Sequence, residues 1–129
     1  MPVSFVIDLL RRLSVWSFWP GLLIVIWGEL KPSTSNPQIH LWDKLLHFTA
    51  YFGLALMATL AMRARHPIAW VVFSLILFGG VLEIVQSFVG RDAEVLDEVA
   101  NTIGALTGWA LGWAIWMLYD KLVGMRRPA

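Results

Sequence analysis

IAWVVFSLILFGGVLEIVQSFV, residues 68–89, carries one charged side chain in 22 positions, Glu83. A helix needs about 20 mostly apolar residues to cross a bilayer. This one is apolar on every face, as a span surrounded by lipid must be. Residues 13–30, 45–62 and 99–118 read the same way, with Pro20 near the middle of the first. Pro67 precedes the third, where a first-turn proline costs no hydrogen bond. The expected fold is therefore all-α, a polytopic four-transmembrane-helix bundle forming one domain over residues 1–129.

Composition agrees. Hydrophobic residues make up 58% of the chain and charged residues 15%, against about 25% charged in a typical soluble protein. A net charge of +1 provides no basic footprint for nucleic acid. The absence of cysteine excludes disulfides, thiolate nucleophiles and cysteine-bound zinc. Arg11 and Arg12 precede the first apolar stretch as they would in a signal peptide. Glu29-Leu30-Lys31-Pro32-Ser33 follows it and has no small-x-small cleavage site, so the stretch is expected to be a retained helix.

Lysine and arginine set orientation. Arg11, Arg12, Arg63, Arg65, Lys121, Arg126 and Arg127 fall at the termini and the second loop, seven in all; Lys31, Lys44 and Arg91 fall at the first and third loops. Seven against three predicts that both termini are cytoplasmic. The first and third loops then face outward.

Charged side chains in a span cost about 2.5–3.5 kcal/mol near its centre. Here they gather on the outward side. Asp43, His47 and Tyr51 stand at i, i+4 and i+8, one stripe down helix two, with Lys44 beside it. Glu83 and Gln86 stand at i and i+3 near the outer end of helix three. Asp97 and Asn101 stand at i and i+4 at the start of helix four, and Arg91 lies in the loop before it. Three stripes of this kind can converge in a bundle on one pocket. Each also has a plainer role: Asp43 and Asp97 as helix caps, Asn101 as an interhelical bond, Tyr51 as packing. Glu83 is the hardest to explain so, because a carboxylate at that depth needs a partner such as His47 or Arg91 to stay charged.

Gly104, Gly108 and Gly112 repeat every four residues along helix four. The flat face they make admits a second backbone, either inside the bundle or at a homodimer seam. Trp109, Trp113 and Trp116 occupy the neighbouring face.

The stretch Asp43-Lys44-Leu45-Leu46-His47-Phe48-Thr49-Ala50-Tyr51 resembles the D-K-x-x-H-x-x-x-Y signature of the VanZ-like membrane proteins. Glu83-Ile84-Val85-Gln86, Arg91, Asp97, Asn101 and Gly104 resemble that family's second block. The resemblance covers roughly residues 42–108. It implies a bacterial inner-membrane, cell-envelope protein, and a role of the glycopeptide (antibiotic) resistance type, since the founding member is associated with resistance to teicoplanin. It implies no reaction. Glu94 and Glu98 depart from the pattern by adding acidity around Arg91 and Asp97.

Four functional classes remain open. In the first, the pocket binds or modifies an amphipathic envelope molecule, a membrane lipid or lipid-linked precursor. Lys44 and Arg91 then hold phosphate or carboxylate, with Tyr51, Gln86, Asp97 and Asn101 as further substrate contacts. In the second, the chain is an intramembrane hydrolase or transferase. His47 is its general acid or base, oriented by Asp43 or Glu83, and Glu83 is the acid partner. No metal or cofactor is expected, since His47, Asp43 and Glu83 have only a generic spacing for ligands. In the third, the chain is a non-catalytic assembly subunit that contacts a protein partner through its glycines and tryptophans. The fourth, an ion pathway, lacks polar residues in the inner halves of the helices.

Overall fold

A computed structural model describes residues 3–31, 40–62, 68–90 and 94–124. They form four helices: α1 (Val3–Leu30), α2 (His40–Met62), α3 (Ile68–Phe88) and α4 (Val95–Gly124). No strand occurs among them. The loop residues 32–37, 63–66 and 91, and the terminal arginines 126 and 127, lie outside the described residues, so Arg91 has no place in the geometry below.

Each helix has a local reason for its limits. α1 begins ten residues before the expected apolar span, because Val3–Leu13 continues the helix through Arg11 and Arg12. It runs unbroken past Pro20. α3 ends where Gly90 takes a positive φ of 79°, the left-handed cap that glycine adopts without a Cβ penalty. α2 and α4 also start earlier than expected, so Asp43, Asp97 and Glu98 fall in first turns. There a carboxylate complements the positive end of the helix dipole.

α1, α2 and α3 are long and apolar enough to cross a membrane. α4 is longer still, but its glycines, tryptophans and Asn101 dilute its apolar character. The surface has the polarity of a lipid-embedded body. Trp16, Leu23, Ile24, Phe73, Leu77 and Ile84 are exposed, while His47, Gln86, Asp97 and Asn101 are buried. A water-soluble domain would invert this arrangement.

α2 and α4 lie side by side, parallel, in the closest contact of the bundle. A Cβ at Gly104 would meet the backbone of Phe48 and Phe52, one at Gly108 the backbone of Phe52, and one at Gly112 the side chain of Thr59, 2.8 Å away. The glycine face of α4 is thus filled by α2 of the same chain. In hydrocarbon, where burying apolar surface yields little, such close van der Waals packing carries helix association. At the far end the Trp116 indole N–H donates to the Thr59 carbonyl at 3.1 Å. Trp109 packs partly on the core and stacks on the exposed Trp113, centroids 6.0 Å apart.

α1 and α3 run antiparallel to this pair. Phe18, Leu22 and Val25 of α1 recur at helical spacing and pack on a core of Tyr51, Leu54, Ala55, Val71, Val72, Leu75 and Ala105. Arg11 Nε donates to the Ala61 carbonyl at 3.1 Å, fixing the start of α1 against the end of α2. The opposite end of the bundle therefore collects the last turns of α1 and α3 and the first turns of α2 and α4.

Candidate functional site

That end holds the polar residues. Six of the eight acids among the described residues are there: Glu29, Asp43, Glu83, Glu94, Asp97 and Glu98. His47 lies at the centre, 4% exposed. Its Nδ1 is 3.1 Å from Asn101 Oδ1 and 3.5 Å from Glu29 Oε1. Its Nε2 faces Asp97 Oδ2 at 3.8 Å and Asp43 Oδ2 at 4.0 Å.

Asn101 is oriented by a second bond, from its Nδ2 to Glu98 Oε2 at 3.2 Å. Its carbonyl oxygen is thereby turned to the imidazole and can only accept. Nδ1 is then the protonated ring nitrogen of the neutral tautomer, and Nε2 presents a lone pair to Asp43 and Asp97.

Lys44 closes the rim. Its ammonium donates to Glu94 Oε2 at 2.6 Å and to Asp97 Oδ1 at 3.1 Å. Side chains of Lys44, Asp43 and Glu94 are 22%, 31% and 35% exposed, so they form the part-exposed edge of the cluster around the buried His47. The expected task of Lys44, offering a point charge to an anionic head group, meets a side chain already engaged by two carboxylates.

Deeper in, Gln86 Nε2 donates to the Glu29 carbonyl at 2.9 Å, tying α3 to α1. Gly79 makes room for three polar tips. A Cβ there would lie 2.6 Å from Glu98 Oε2 and 3.1 Å from both Asn101 Nδ2 and Tyr51 Oη. Among the described residues Gln86 Oε1 and Glu98 Oε1 are buried without a hydrogen-bond partner, while the Tyr51 hydroxyl faces the Glu29 carboxylate and the Glu83 carboxylate faces the Glu94 backbone amide, neither in close hydrogen-bonding geometry. Native interiors leave few such groups unmatched.

Of the residues singled out from sequence, Asp43, Lys44, His47, Tyr51, Glu83, Gln86, Asp97 and Asn101 all belong to this end of the bundle. The direct contacts of His47 are Asn101, Glu29, Asp97 and Asp43. Glu83 has no direct contact with it and lies only within electrostatic reach of His47 and Asp97. Asp43 lies inside the first turn of α2, not at its cap.

Sequence reasoning missed Glu29 and underrated Glu94 and Glu98. Glu29 is the only acid in the C-terminal half of α1, at the level of the other polar residues, and that level was the available signal. Glu94 and Glu98 stood out as departures from a motif, yet they hold Lys44 and Asn101.

The sequence matches the VanZ/LLP1 family over residues 1–118. The match takes in α1, with Glu29, as well as the two blocks of residues 42–108. Nothing matches among curated proteins or among solved structures. With a match over nearly its whole length, and with apolar helices around a buried polar end, this chain is a membrane protein and belongs to the VanZ/LLP1 family.

Proposed function

We propose that the chain crosses the bacterial cytoplasmic membrane four times, with both termini inside, and binds the polar head of an amphipathic cell-envelope molecule in the chamber around His47. The molecule's tail stays in lipid beside α2 and α4. The observation that carries this reading is the set of buried polar atoms of Tyr51, Glu83, Gln86 and Glu98 that close no well-formed hydrogen bond among the described residues. A purely structural polar core gains nothing by leaving such atoms unpaired, since each costs about 1–3 kcal/mol. A bound head group satisfies them.

The atoms also describe the head. Glu83, Gln86 and Glu98 offer acceptors, and Tyr51 offers one hydroxyl. They call for hydroxyl, amide or ammonium donors, as on a sugar or peptide portion. His47, set among carboxylates, is positioned to take or give a proton at such a group. A role of the glycopeptide-resistance type is compatible with a head group of that chemistry.

Extraction of the protein with its native lipids, followed by mass spectrometry, tests this. The wild type is expected to retain a lipid-linked envelope species. His47→Ala and Glu83→Gln are expected to retain it at least about tenfold less, the equivalent of ~1.4 kcal/mol, with unchanged protein level and thermal stability. Equal retention in all three proteins defeats the proposal. A fall in protein level without any retained species favours an assembly subunit instead.

A further inference from the structure

We infer that Asp43, His47 and Asp97 form a binding site for a divalent metal cation of the Mn²⁺ or Zn²⁺ class. One ligand atom from each lies within 4.8 Å of the others. The gap between them is the first argument. Nε2 stands 3.8 Å from Asp97 Oδ2 and 4.0 Å from Asp43 Oδ2. A charge-assisted hydrogen bond would close to about 2.7–2.9 Å. A cation bound at about 2.0–2.2 Å from each atom holds its ligands roughly 3–4 Å apart.

The far side of the imidazole is the second argument. Ligating histidines almost always donate their other N–H to a carbonyl or carboxylate. Nδ1 has Asn101 Oδ1 at 3.1 Å and Glu29 Oε1 at 3.5 Å, and Glu98 locks the orientation of Asn101. With the ring neutral, the Nε2 lone pair is aimed at two carboxylates, and only a proton or a metal cation on Nε2 makes that arrangement attractive.

Charge is the third argument. Lys44 uses Asp97 Oδ1 and Glu94, and Asp97 Oδ2 faces the imidazole. Glu83 adds a further carboxylate, nine-tenths buried and within electrostatic reach of both His47 and Asp97. One imidazole with two carboxylates suits Mn²⁺ or Zn²⁺ better than soft, sulfur-seeking ions. Three protein ligands leave coordination positions open toward the rim.

The test uses the full chain, purified in detergent with a tag free of histidine, stripped by chelator and titrated with Zn²⁺ and with Mn²⁺. One saturable site per chain is expected, with ¹⁴N coupling in the spin-echo spectrum of bound Mn²⁺. Asp97→Asn and His47→Ala are expected to weaken it by about tenfold or more. Asp43→Asn, at the half-buried rim, is expected to do the same. Equal binding by wild type and Asp43→Asn overturns the inference. So does absence of saturable binding together with ¹⁵N signals of a doubly protonated His47. Metal binding without a retained envelope species leaves this site standing and removes only the preceding proposal.

Discussion

Alanine at both Gly104 and Gly108 is expected to destabilise the folded bundle by about 3 kcal/mol or more, since overpacking costs about 1–3 kcal/mol at a single site. The neighbours are backbone atoms. A methyl at Gly104 meets the Phe48 carbonyl and the Phe52 amide nitrogen, and a methyl at Gly108 meets the Phe52 carbonyl and Cα. Side-chain rotation cannot relieve either clash, so α2 and α4 must separate along the whole contact. Separation would also pull Asn101 from His47, because that bond lies one turn beyond Gly104 on the same pair of helices. Gly53→Ala and Gly80→Ala provide the control, having open space at the Cβ position. They are expected to be neutral or to stabilise by up to about 1 kcal/mol through helix propensity. Thermal unfolding in detergent measures all three variants. An unchanged midpoint for the double variant would contradict the close approach of α2 and α4.

The glycine repeat shows what was readable before any coordinates and what was not. Its spacing announces a close helix contact, but a four-residue period carries no information on which helix supplies the second backbone. That is settled by the match between Gly104, Gly108 and Gly112 and the residues Phe48, Phe52 and Thr59 on α2. The polar site divides in the same way. Asp43, His47 and Tyr51 were legible because an i, i+4, i+8 stripe has no cheap place in lipid except against other polar groups. Glu29 was not. It stands alone at the end of α1, where a lone carboxylate reads as a water-facing terminus. Only the antiparallel packing of α1 against α2 and α3 turns it inward, where it is 6% exposed and faces His47. The partners of Lys44 were hidden for a further reason. Glu94 and Asp97 are about 50 residues away in sequence, and no local pattern links charges across that separation.

Lys44→Met is expected to cost about 2 kcal/mol of stability. Removing one member of a fully buried ion pair costs about 3–5 kcal/mol, because the remaining charge is stranded. Here the penalty is smaller, since the Lys44 side chain is 22% exposed and water screens part of the interaction. Asp97 is the side chain that suffers. At 3% exposure its carboxylate keeps, among the described residues, only the His47 ring, 3.8 Å away, as a partner. Asp97→Asn removes the stranded charge, so the double variant should recover much of the loss, with a coupling of about 1–2 kcal/mol in the cycle. Glu94→Gln, with its side chain 35% exposed, should cost well under 1 kcal/mol, as rim pairs do. Strict additivity of Lys44→Met and Asp97→Asn would mean that the lysine balances no buried charge. The polar link between α2 and α4 would then rest on His47 with Asn101 and Asp97, and the acidity of this end of the bundle would need a cation from outside the chain to balance it.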